Sequence, residues 1–486
     1  DVLEIGCGTG MLLARVAPRV RSYRGTDLSA YALAKVDALR AHLGGLAHVD
    51  VSRQPAHDFT GITGPFDTVI LNSVVQYFPS ADYLLGVLAG LLARAGEHAK
   101  IFLGDIRSLA LLETYHATVE HHKAPTAGRR ELHARVGRAL TRDNELVVHP
   151  RFFTELRAVF PRISHVDVVP KRGNFTNELT LFRYDVTLHV GAAPAITAPD
   201  EWRDAPSPDE LRRWLATASP GRTLGLRSLA NARLHAVADL REWLTGDADG
   251  PWQAPPADAR AWDPEALWTL AAEHGARVCL SWAEGRVNGS FDAVIAAGSG
   301  PPLHCPLAPP SNIHDLAGRP DLASDPLAGE DQRAFVRALR AELREALPHY
   351  LIPATIVVLP ALPLNINGKV DTRALPAPEA LRDPDVPLTL PTTAVERAIA
   401  DVWCGLLGLD QVGVHDNFFE IGGDSLLAVQ AMARLPAAVD VELPVRVLLE
   451  RPTISEVARH VELALAARRL AAAPAPASER RQRGRL

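Results

Sequence analysis

The sequence predicts a multidomain protein in which a doubly wound α/β domain comes first, a small α+β domain follows and a four-helix domain comes last. A length of 486 residues allows about three to four domains, each able to bury a core of its own. Strand-like and helix-like segments alternate through residues 1–190, which is the pattern of a parallel sheet covered by helices. Residues 392–466 instead contain only helix-like segments.

The composition excludes several classes of protein. A formal net charge of -6 is too mild to indicate binding to nucleic acid or to a membrane surface. We find no apolar run of membrane-spanning length and no signal-peptide pattern, and the start at Asp1 predicts an N-terminally truncated domain. The cysteines are too far apart for a metal or disulfide framework, so we expect reduced thiols in a cytoplasmic protein. They are Cys7, Cys279, Cys305 and Cys404.

A glycine-rich loop follows the first predicted strand. The strand at residues 2–5 runs into the spacing E-x-G-x-G-x-G, from Glu4 to Gly10, and then into a helical pattern. Such a loop lets the backbone approach a ligand closely, and Asp27, at the end of a second strand, is suited to ribose hydroxyls. The loop alone would also fit NAD, FAD or a structural turn. Its spacing resembles the first motif of class I S-adenosylmethionine-dependent methyltransferases, which is the interpretation that we favour.

Two later strands place polar residues at the same edge of the predicted sheet. The strand at 66–71 ends in Asn72, and the strand at 99–103 is followed by Gly104 and Asp105. Ligands bind beyond the carboxyl ends of the strands in open α/β sheets. Residues 72–78 are therefore predicted to line the pocket.

Four motifs together are more specific than the glycine loop: NSVVQYFP at 72–79, GDIR at 104–107, NELT at 177–180 and RYDV at 183–186. They resemble the methyltransferase domains that are inserted into adenylation domains of nonribosomal peptide synthetases, over residues 1–190. The resemblance implies that S-adenosylmethionine is the cofactor. The implied cofactor-binding residues are Glu4, Gly6, Gly8 and Gly10 at the methionine part, Asp27 at the ribose, Ala56, His57 and Asp58 beside the adenine, and Asn72 in the pocket lining. For His57 and Asp58 a solvated turn is the alternative.

The same resemblance implies transfer of a methyl group to a substrate held as a thioester on a carrier arm. For an α-amino thioester the nucleophile is the amine, so N-methylation is the first interpretation. Methylation on carbon or oxygen and a non-catalytic scaffold remain open. The predicted catalytic residues, which would orient the amine or accept its proton, are Tyr77, Asp105, Asn177, Glu178 and Tyr184. Glu178 is the first choice as proton acceptor, and a structural hydrogen bond is the alternative role for each of the five.

The middle of the chain gives weaker signals. Residues 105–150 predict a helical cover with solvated histidines at His116, His121 and His122. Neighbouring histidines point to different sides of a helix, so we expect no metal site there. Residues 191–300 fit either a C-terminal lobe of the methyltransferase or a spacer, and the proline-rich residues 300–327 predict a linker.

Residues 301–378 are assigned to the C-terminal subdomain of an adenylation domain. They contain a predicted helix at 331–347, a strand-like segment at 354–359 and the sequence LPLNINGKVD around Lys369. That sequence resembles the last core motif of adenylate-forming enzymes, in which the lysine meets the substrate carboxylate and the adenylate. The large adenylation subdomain has no counterpart in this chain. We therefore expect no adenylation by this chain alone, and ATP and Mg²⁺ only with the missing core.

A linker at 379–391 leads to the predicted four-helix domain at 392–466. The run from Asp416 to Leu426, DNFFEIGGDSL, places Ser425 at the start of an apolar-periodic helix, where backbone N–H groups and the helix dipole favour an anion. A plain helix cap is the alternative. The run resembles the 4'-phosphopantetheine attachment site of peptidyl carrier proteins. The implied partners are an upstream adenylation core, a phosphopantetheinyl transferase and neighbouring condensation or thioesterase domains, and residues 467–486 are predicted to be a disordered tail.

Overall fold

The computed structural model describes residues 1–43, 47–246, 251–311, 315–327, 388–409, 411–419, 421–423 and 425–472, together with short stretches between 334 and 375. The chain divides into two units, Asp1–Gly329 and Glu330–Leu486. Within the part of the chain that the structure describes, no helix is both long enough and apolar enough to cross a bilayer.

The first unit contains a seven-stranded sheet with the order β3-β2-β1-β4-β5-β7-β6. Its strands are β1 (Val2–Ile5), β2 (Tyr23–Asp27), β3 (Val49–Arg53), β4 (Phe66–Asn72), β5 (Ala95–Arg107), β6 (Ile163–Pro170) and β7 (Arg183–Val190). Strands β1 to β5 are parallel, and β7 pairs antiparallel with both β5 and β6. The predicted doubly wound α/β fold is confirmed.

The order of the strands fixes where a ligand can bind. The chain moves outward from β1 to β3 and then returns to β4 on the other side of β1, so the direction of winding reverses between β1 and β4. At such a reversal the loops beyond the carboxyl ends of the two strands separate and leave a crevice. Every side chain of β1 is buried, which holds this point of the sheet rigidly in the core.

Seven helices in the described part of residues 1–190 surround this sheet. They are α1 (Leu13–Val16), α2 (Ala30–Leu43), α3 (Ala81–Leu92), α4 (Leu112–Lys123), α5 (Arg129–Arg142), α6 (Pro150–Val159) and α7 (Glu178–Phe182). Helix α3 begins at Ser80, whose Oγ accepts a hydrogen bond from the Tyr83 N–H at 3.2 Å. Its leucines at helical spacing, among them Leu84 and Leu88, are completely buried, so burial of one apolar face holds this helix on the sheet.

One of the histidines on the predicted helical cover is not solvated. His116 on α4 is buried, and its Nε2 lies 2.8 Å from a carboxylate oxygen of Asp143. Arg107 donates two further hydrogen bonds of 2.8 Å to the same carboxylate. The prediction of a solvated residue was wrong for His116, because a buried ion pair from a different strand supplies its partner.

Residues 191–300 form a packed lobe and not a spacer. A second sheet has the order β10-β11-β9-β8 and is accompanied by three helices in the described part of this range. These elements are β8 (Glu201–Asp204), α8 (Pro208–Thr217), β9 (Thr223–Leu229), α9 (His235–Thr245), α10 (Pro264–Glu273), β10 (Arg277–Ser281) and β11 (Phe291–Ala296). Trp282, directly after β10, donates its backbone N–H to the Val168 carbonyl of β6 at 2.8 Å. Side chains of both sheets belong to one hydrophobic core.

The proline-rich segment at 301–327, which we call the strap, packs on the same unit. Leu316, Leu322 and Ala323 are buried in the main core, and the Ser324 Oγ accepts a hydrogen bond from Val147 N at 2.8 Å. The predicted linker at 300–327, and with it the start of the adenylation subdomain at 301, was wrong. Prolines correctly indicated extended chain, but the apolar side chains between them are buried against the methyltransferase-like core.

Most of the remaining predicted adenylation subdomain lies outside the described residues. This applies to the greater part of the predicted helix at 331–347, to much of the motif around Lys369 and to residues 379–387 of the linker. Lys369 itself is described. Its role at a substrate carboxylate stays a prediction.

The described part of the second unit contains four helices that share a core. They are α11 (Ala394–Leu407), α12 (Ser425–Val439), α13 (Val445–Glu450) and α14 (Ile454–Ala472). Trp403 and Phe418 are completely buried at the centre, with their rings 4.8 Å apart. The four-helix prediction is confirmed. The tail was predicted to begin at 467, but α14 continues to Ala472, so residues 467–472 belong to the last helix.

We predict that Leu322→Ala lowers the free energy of unfolding of the first unit by about 2–4 kcal/mol, because it leaves a cavity in the core. Seven of the eight tryptophans lie before residue 330, so tryptophan fluorescence in urea reports mainly on this unit. Leu327→Ala, at an exposed leucine of the same strap, is the matched control and should have little effect. Equal shifts of the two urea midpoints would show that the strap is not part of the core.

Candidate functional site

A crevice of about 590 Å³ opens beyond the carboxyl ends of β1, β2 and β4. It lies at the reversal of winding between β1 and β4, where the fold leads us to expect a ligand. The lining residues are Glu4, Ile5, Gly6, Cys7, Gly8, Thr9, Met11, Leu12, Asp27, Leu28, Gln54, Ala56, Asn72, Ser73, Val74, Tyr77, Phe78, Pro79 and Tyr83. The structure therefore brings together seven of the predicted residues: Glu4, Gly6, Gly8, Asp27, Ala56, Asn72 and Tyr77.

The glycine loop between β1 and α1 is held against β2. The N–H groups of Gly6 and Cys7 both donate to the Thr26 carbonyl, at 2.7 and 2.9 Å. Gly6 has φ +74°, and a Cβ there would collide with Val74 across the crevice. Gly8 has φ +52° with open space around it, so its backbone is accessible to a ligand. These positions need glycine both for the conformation and for the close approach.

Gly10 has a different role from the one predicted. It is absent from the crevice lining, although it lies in the described part of the loop. A Cβ on Gly10 would lie 3.1 Å from Leu39 and 3.2 Å from Val36, both on α2. Gly10 therefore allows close packing of the loop on α2.

Asp27 joins the glycine loop after β1 to the turn after β2. Its carboxylate accepts hydrogen bonds from the N–H of Gly8 and the N–H of Ser29, each at 2.8 Å. One oxygen thus holds the glycine loop and the other holds the turn into α2. A carboxylate has about four acceptor positions, so two remain for a ligand. Two adjacent acceptors suit a vicinal diol such as that of a ribose.

Glu4 places a titratable carboxyl under the glycine loop. It is buried, and Tyr23 donates its hydroxyl to it at 2.5 Å. Burial raises the pKa of Glu4 to about 7; the Tyr23 hydrogen bond opposes this shift, and the charge of Asp27 adds to it. A cation bound in the crevice would favour the ionised form of Glu4 near neutral pH.

The ends of β4 and β5 hold two residues in the left-handed region, Ser73 at φ +57° and Asp105 at φ +63°. Strained backbone of this kind tends to cluster at functional sites. The Asp105 carboxylate accepts hydrogen bonds from the Ser73 hydroxyl and from Asn72 Nδ2 (3.1 Å), and Lys171 Nζ lies 2.7 Å from it. Asn72 and Ser73 line the crevice. Asp105 lies behind them and contacts the crevice through its hydrogen bonds with these two side chains.

The charge of Asp105 is fixed by this network. Burial acts to raise its pKa, but hydrogen bonds from Lys171 and Ser73 outweigh burial, and the pKa of Asp105 lies below its ordinary value. Lys171 also pairs with Asp185 at 2.8 Å, and Asp185 accepts the Asp105 N–H at 3.0 Å. An ionised carboxylate that is already satisfied is a weak proton acceptor. Asp105 is better suited to positioning Asn72 and Ser73.

The predicted adenine neighbours need correction. Ala56 lines the crevice together with Gln54, whereas His57 and Asp58, both described, lie outside its lining. His57 Nδ1 lies 2.8 Å from the Tyr83 hydroxyl, and the Asp58 carboxylate accepts the Thr60 N–H at 2.9 Å. Asp58 therefore shapes an exposed turn, and His57 contacts the crevice only through Tyr83.

Of the other four residues predicted to orient or deprotonate the amine, one is buried in the core and three lie nearer the surface. Tyr184 is completely buried and donates its hydroxyl to the Val148 carbonyl at 2.8 Å, so its predicted catalytic role was wrong. Asn177 caps α7, its side chain accepting from the Thr180 N–H at 3.2 Å. Glu178 is the first residue of α7 and forms an ion pair with Arg183. Tyr77 is 73% exposed at the rim of the crevice.

Several lining residues were not predicted as site residues. They include Gln54, Tyr83 and Met11. Ser73, Val74 and Phe78 belong to the 72–78 segment that was predicted to line the pocket, and they do line the crevice. Tyr83 lies on α3 and Met11 before α1, and no local signal marked either side chain for the crevice.

The loop that precedes α12 in the second unit is anchored in the four-helix core. The completely buried Phe418 donates its N–H to the Pro452 carbonyl at 2.7 Å, and its own carbonyl accepts the Gly423 N–H at 2.8 Å. A Cβ on Gly423 would collide with the Phe418 ring. Asp416 accepts the Gly413 N–H at 2.7 Å. These contacts fix the backbone of the loop as far as Gly423.

Ser425 is the first residue of the 15-residue helix α12, as predicted. The first N–H groups of a helix have no partner within it and favour an anion such as a phosphodiester. The next two apolar positions on one side of α12, Leu426 and Val429, are 67% and 50% exposed. Glu420 and Asp424 of the predicted motif lie outside the described residues.

Comparison with known proteins identifies both domains. Residues 397–461 match the family described as "Phosphopantetheine attachment site", and this range includes Ser425. Residues 3–98 match the family described as "Methyltransferase domain", and this range includes the glycine loop, Asp27 and Asn72. These matches confirm the cofactor predictions of 4'-phosphopantetheine for the carrier and S-adenosylmethionine for the methyltransferase.

Relatives that match nearly the whole chain are large synthetases. Chondramide synthase cmdD of Chondromyces crocatus is 44% identical over 94% of this chain and 12% of that protein. A probable non-canonical nonribosomal peptide synthetase, CymA, of Salinispora arenicola is 35% identical over 94% of this chain and 6% of that protein. A chain in the solved complex of the phosphopantetheine transferase Sfp, coenzyme A and a peptidyl carrier protein is 41% identical, covering 15% of this chain and 97% of that chain with a TM-score of 0.15.

The chain thus spans only about an eighth or less of the length of the two synthetases, but each match covers 94% of this chain. The doubly wound crevice and the serine-led helix correspond to the two matched families. The chain therefore carries a methyltransferase domain and a phosphopantetheine carrier domain, and over most of its length it is similar to segments of nonribosomal peptide synthetases.

Proposed function

We propose that this chain N-methylates an aminoacyl thioester carried on the phosphopantetheine arm of Ser425, with S-adenosylmethionine as methyl donor. The observation that supports this most directly is the crevice at the carboxyl ends of β1, β2 and β4, where Asp27 holds the glycine loop. It occurs in the same polypeptide as a carrier helix that begins at Ser425. Donor site and tether are therefore present in one chain.

The crevice has the size and lining that the methyl donor requires. Its volume of about 590 Å³ lies within the range of about 300–1,000 Å³ that is usual for small-molecule pockets. In our proposal Asp27 binds the ribose hydroxyls, and Gln54 and Ala56 lie beside the adenine. Gly6 and Gly8 receive the methionine part, where the carboxyl of Glu4 lies beneath the loop and favours a cation.

Methyl transfer needs alignment more than acid or base strength. The amine lone pair forms the new N–C bond as the C–S bond breaks, the electron pair of that bond stays on sulfur, and the amine then loses a proton. Holding the two reactants in line removes several kcal/mol from the barrier, about 7–11 kcal/mol in the best intramolecular cases. The rim residues Tyr77, Asn72 and Ser73 are the groups best placed to orient the amine.

We also propose that Glu178 and Asn177 orient the substrate amine or accept its proton. Glu178 is partly exposed and is held by Arg183, which itself lies within 3.5 Å of the Asp105 carbonyl. This chain of contacts links Glu178 to the residues behind the crevice. In our proposal Glu178 accepts the proton after transfer, and Asp105 positions Asn72 and Ser73.

The carrier domain requires a second enzyme to attach its arm. In our proposal a phosphopantetheinyl transferase docks on the exposed side chains of Leu426 and Val429, next to Ser425 on α12. The same face would then meet neighbouring synthetase domains of the condensation or thioesterase type. Loading of the amino acid requires an upstream adenylation core, to which Lys369 would supply a positive charge along with ATP and Mg²⁺.

The direct test starts from the full chain with its arm attached. A phosphopantetheinyl transferase is given a panel of aminoacyl-coenzyme A thioesters, and the loaded chain is then incubated with S-adenosylmethionine. We predict a gain of one methyl group on the arm, which tandem mass spectrometry places on the amine nitrogen. Ser425→Ala should abolish both the arm and the methyl group, whereas the control Ser455→Ala, also in the carrier domain, should retain both.

Other outcomes of that experiment separate the alternatives. A methyl group on carbon or oxygen would contradict N-methylation but retain the enzyme. A loaded arm that gains no methyl group with any member of the panel would support a non-catalytic scaffold. Arm attachment that persists in Ser425→Ala would contradict the carrier assignment.

Asp27→Asn should weaken the binding of S-adenosylmethionine by about 1.5–3 kcal/mol, or roughly tenfold to 150-fold, because it removes a charged acceptor of hydrogen bonds. Isothermal titration calorimetry on the full chain measures the change. The matched control is Asp58→Asn, an acid that lies outside the crevice, and it should bind as the unchanged chain does. Equal affinities for all three proteins would contradict the ribose assignment.

A further inference from the structure

Three histidines surround one carboxylate where the two sheets and the strap meet. His165 and Asp167 lie two residues apart on β6, so their side chains are on the same face of the strand. His189 of β7 is paired directly with His165 in the sheet register. His304 comes from the strap, which crosses this face.

The side chains converge on Asp167. His189 Nε2 lies 2.7 Å from Asp167 Oδ2, and His165 Nε2 lies 3.1 Å from Asp167 Oδ1. His304 Nδ1 lies 3.0 and 3.2 Å from the two oxygens. One ligand atom from each of His165, Asp167 and His304 can be chosen so that all three lie within 4.8 Å of one another.

The distances of 3.0–3.2 Å from the His165 and His304 nitrogens to the Asp167 oxygens fit ligands of one metal ion. Nitrogen and oxygen ligands at about 2.1 Å from an ion are about 3.0–3.4 Å apart in octahedral or tetrahedral geometry. Two imidazoles and a carboxylate are a usual ligand set for zinc and similar divalent transition metals. The Asp167 carboxylate, which all three imidazoles contact, would supply a negative charge to the cation.

The neighbouring thiols do not belong to the ligand set. Cys305 follows His304 in the strap, and its Sγ lies 2.7 Å from the Sγ of Cys279. Among the described residues, the group that could hold a metal ion consists of His165, Asp167 and His304 and contains neither thiol, so the ligands are nitrogen and oxygen atoms.

We propose that His165, Asp167 and His304 bind one zinc-class divalent cation, with His189 holding the Asp167 carboxylate in position. The ion fastens the strap to β6, the edge strand of the seven-stranded sheet. Strands β5 and β7 separate β6 from β4 and the crevice, so the role is structural and not catalytic. The ion would link Asp167 and His304, which are 137 positions apart in the sequence.

The alternative is a cluster held by hydrogen bonds alone, with each imidazole donating an N–H to Asp167. Zinc titration of the full chain after EDTA treatment and desalting separates the two. By calorimetry we predict one equivalent of tightly bound zinc and a thermal unfolding temperature that rises on adding it. His304→Ala and Asp167→Asn should lose that equivalent, and His189→Gln should weaken it about 10- to 100-fold.

His133→Ala is the matched control, because His133 is an exposed histidine of α5 in the same unit, and it should keep the equivalent. Cobalt(II) added to the unchanged chain should give visible d–d bands without the intense near-ultraviolet band of sulfur ligation. The proposal is overturned if the unchanged chain binds no stoichiometric zinc, a result that does not depend on how the variants fold. It is also overturned if folded His304→Ala and Asp167→Asn proteins bind zinc as the control does.

Discussion

The hydrogen bond from the Gly8 N–H to the Asp27 carboxylate is the contact on which the methyltransferase site depends. It joins the loop after β1 to the end of β2 at 2.8 Å, on the side of β1 opposite to β4. The Thr26 carbonyl and the close packing of Gly10 on α2 also hold the glycine loop, but only the Asp27 bond ties Gly8 to a group that lines the crevice. The same carboxylate retains acceptor positions for a ribose, so one side chain both builds the pocket and recognises its ligand.

The electrostatics around the crevice suit a cationic donor. Glu4 and Asp27 line it, and Asp105 lies directly behind Asn72 and Ser73. Lys171 compensates Asp105 and Asp185 on the far side of this network, so its positive charge is already neutralised. A sulfonium ion or an ammonium group bound in the crevice would therefore face the carboxyl groups of Glu4 and Asp27. The product, S-adenosylhomocysteine, lacks the sulfonium charge and would be held less strongly by the same groups.

Local sequence was sufficient for the parts of the site that follow one another along the chain. The glycine loop, Asp27 and Asn72 each follow a buried strand, and the parallel fold brings strand ends to one edge, so their convergence could be predicted. Ser425 could be placed at a helix start from the glycines and the apolar spacing after it. Burial of Tyr184 could not be predicted, since its hydroxyl partner, Val148, is on the segment before α6. His57 was misplaced because only the position of Tyr83 on α3 decides which side of the turn faces the crevice.

Contacts between distant segments were beyond sequence reasoning. The strap was predicted as a linker because its prolines indicate extended chain, and nothing local shows that Leu316 and Leu322 reach the core. The cluster around Asp167 depends on the register of β6 with β7 and on a strap residue far along the chain. From the sequence, metal binding was rejected for the widely spaced cysteines and for the histidines on α4, and no local spacing indicated the cluster around Asp167.

The measurement that tests the central claim most directly is a crystal structure of the full chain with S-adenosylhomocysteine. The account predicts the ligand in the crevice between β1 and β4, with both ribose hydroxyls within hydrogen-bonding distance of the Asp27 carboxylate and the adenine beside Ala56 and Gln54. A ligand bound elsewhere on the chain, or a ribose in the crevice that does not contact Asp27, would contradict it.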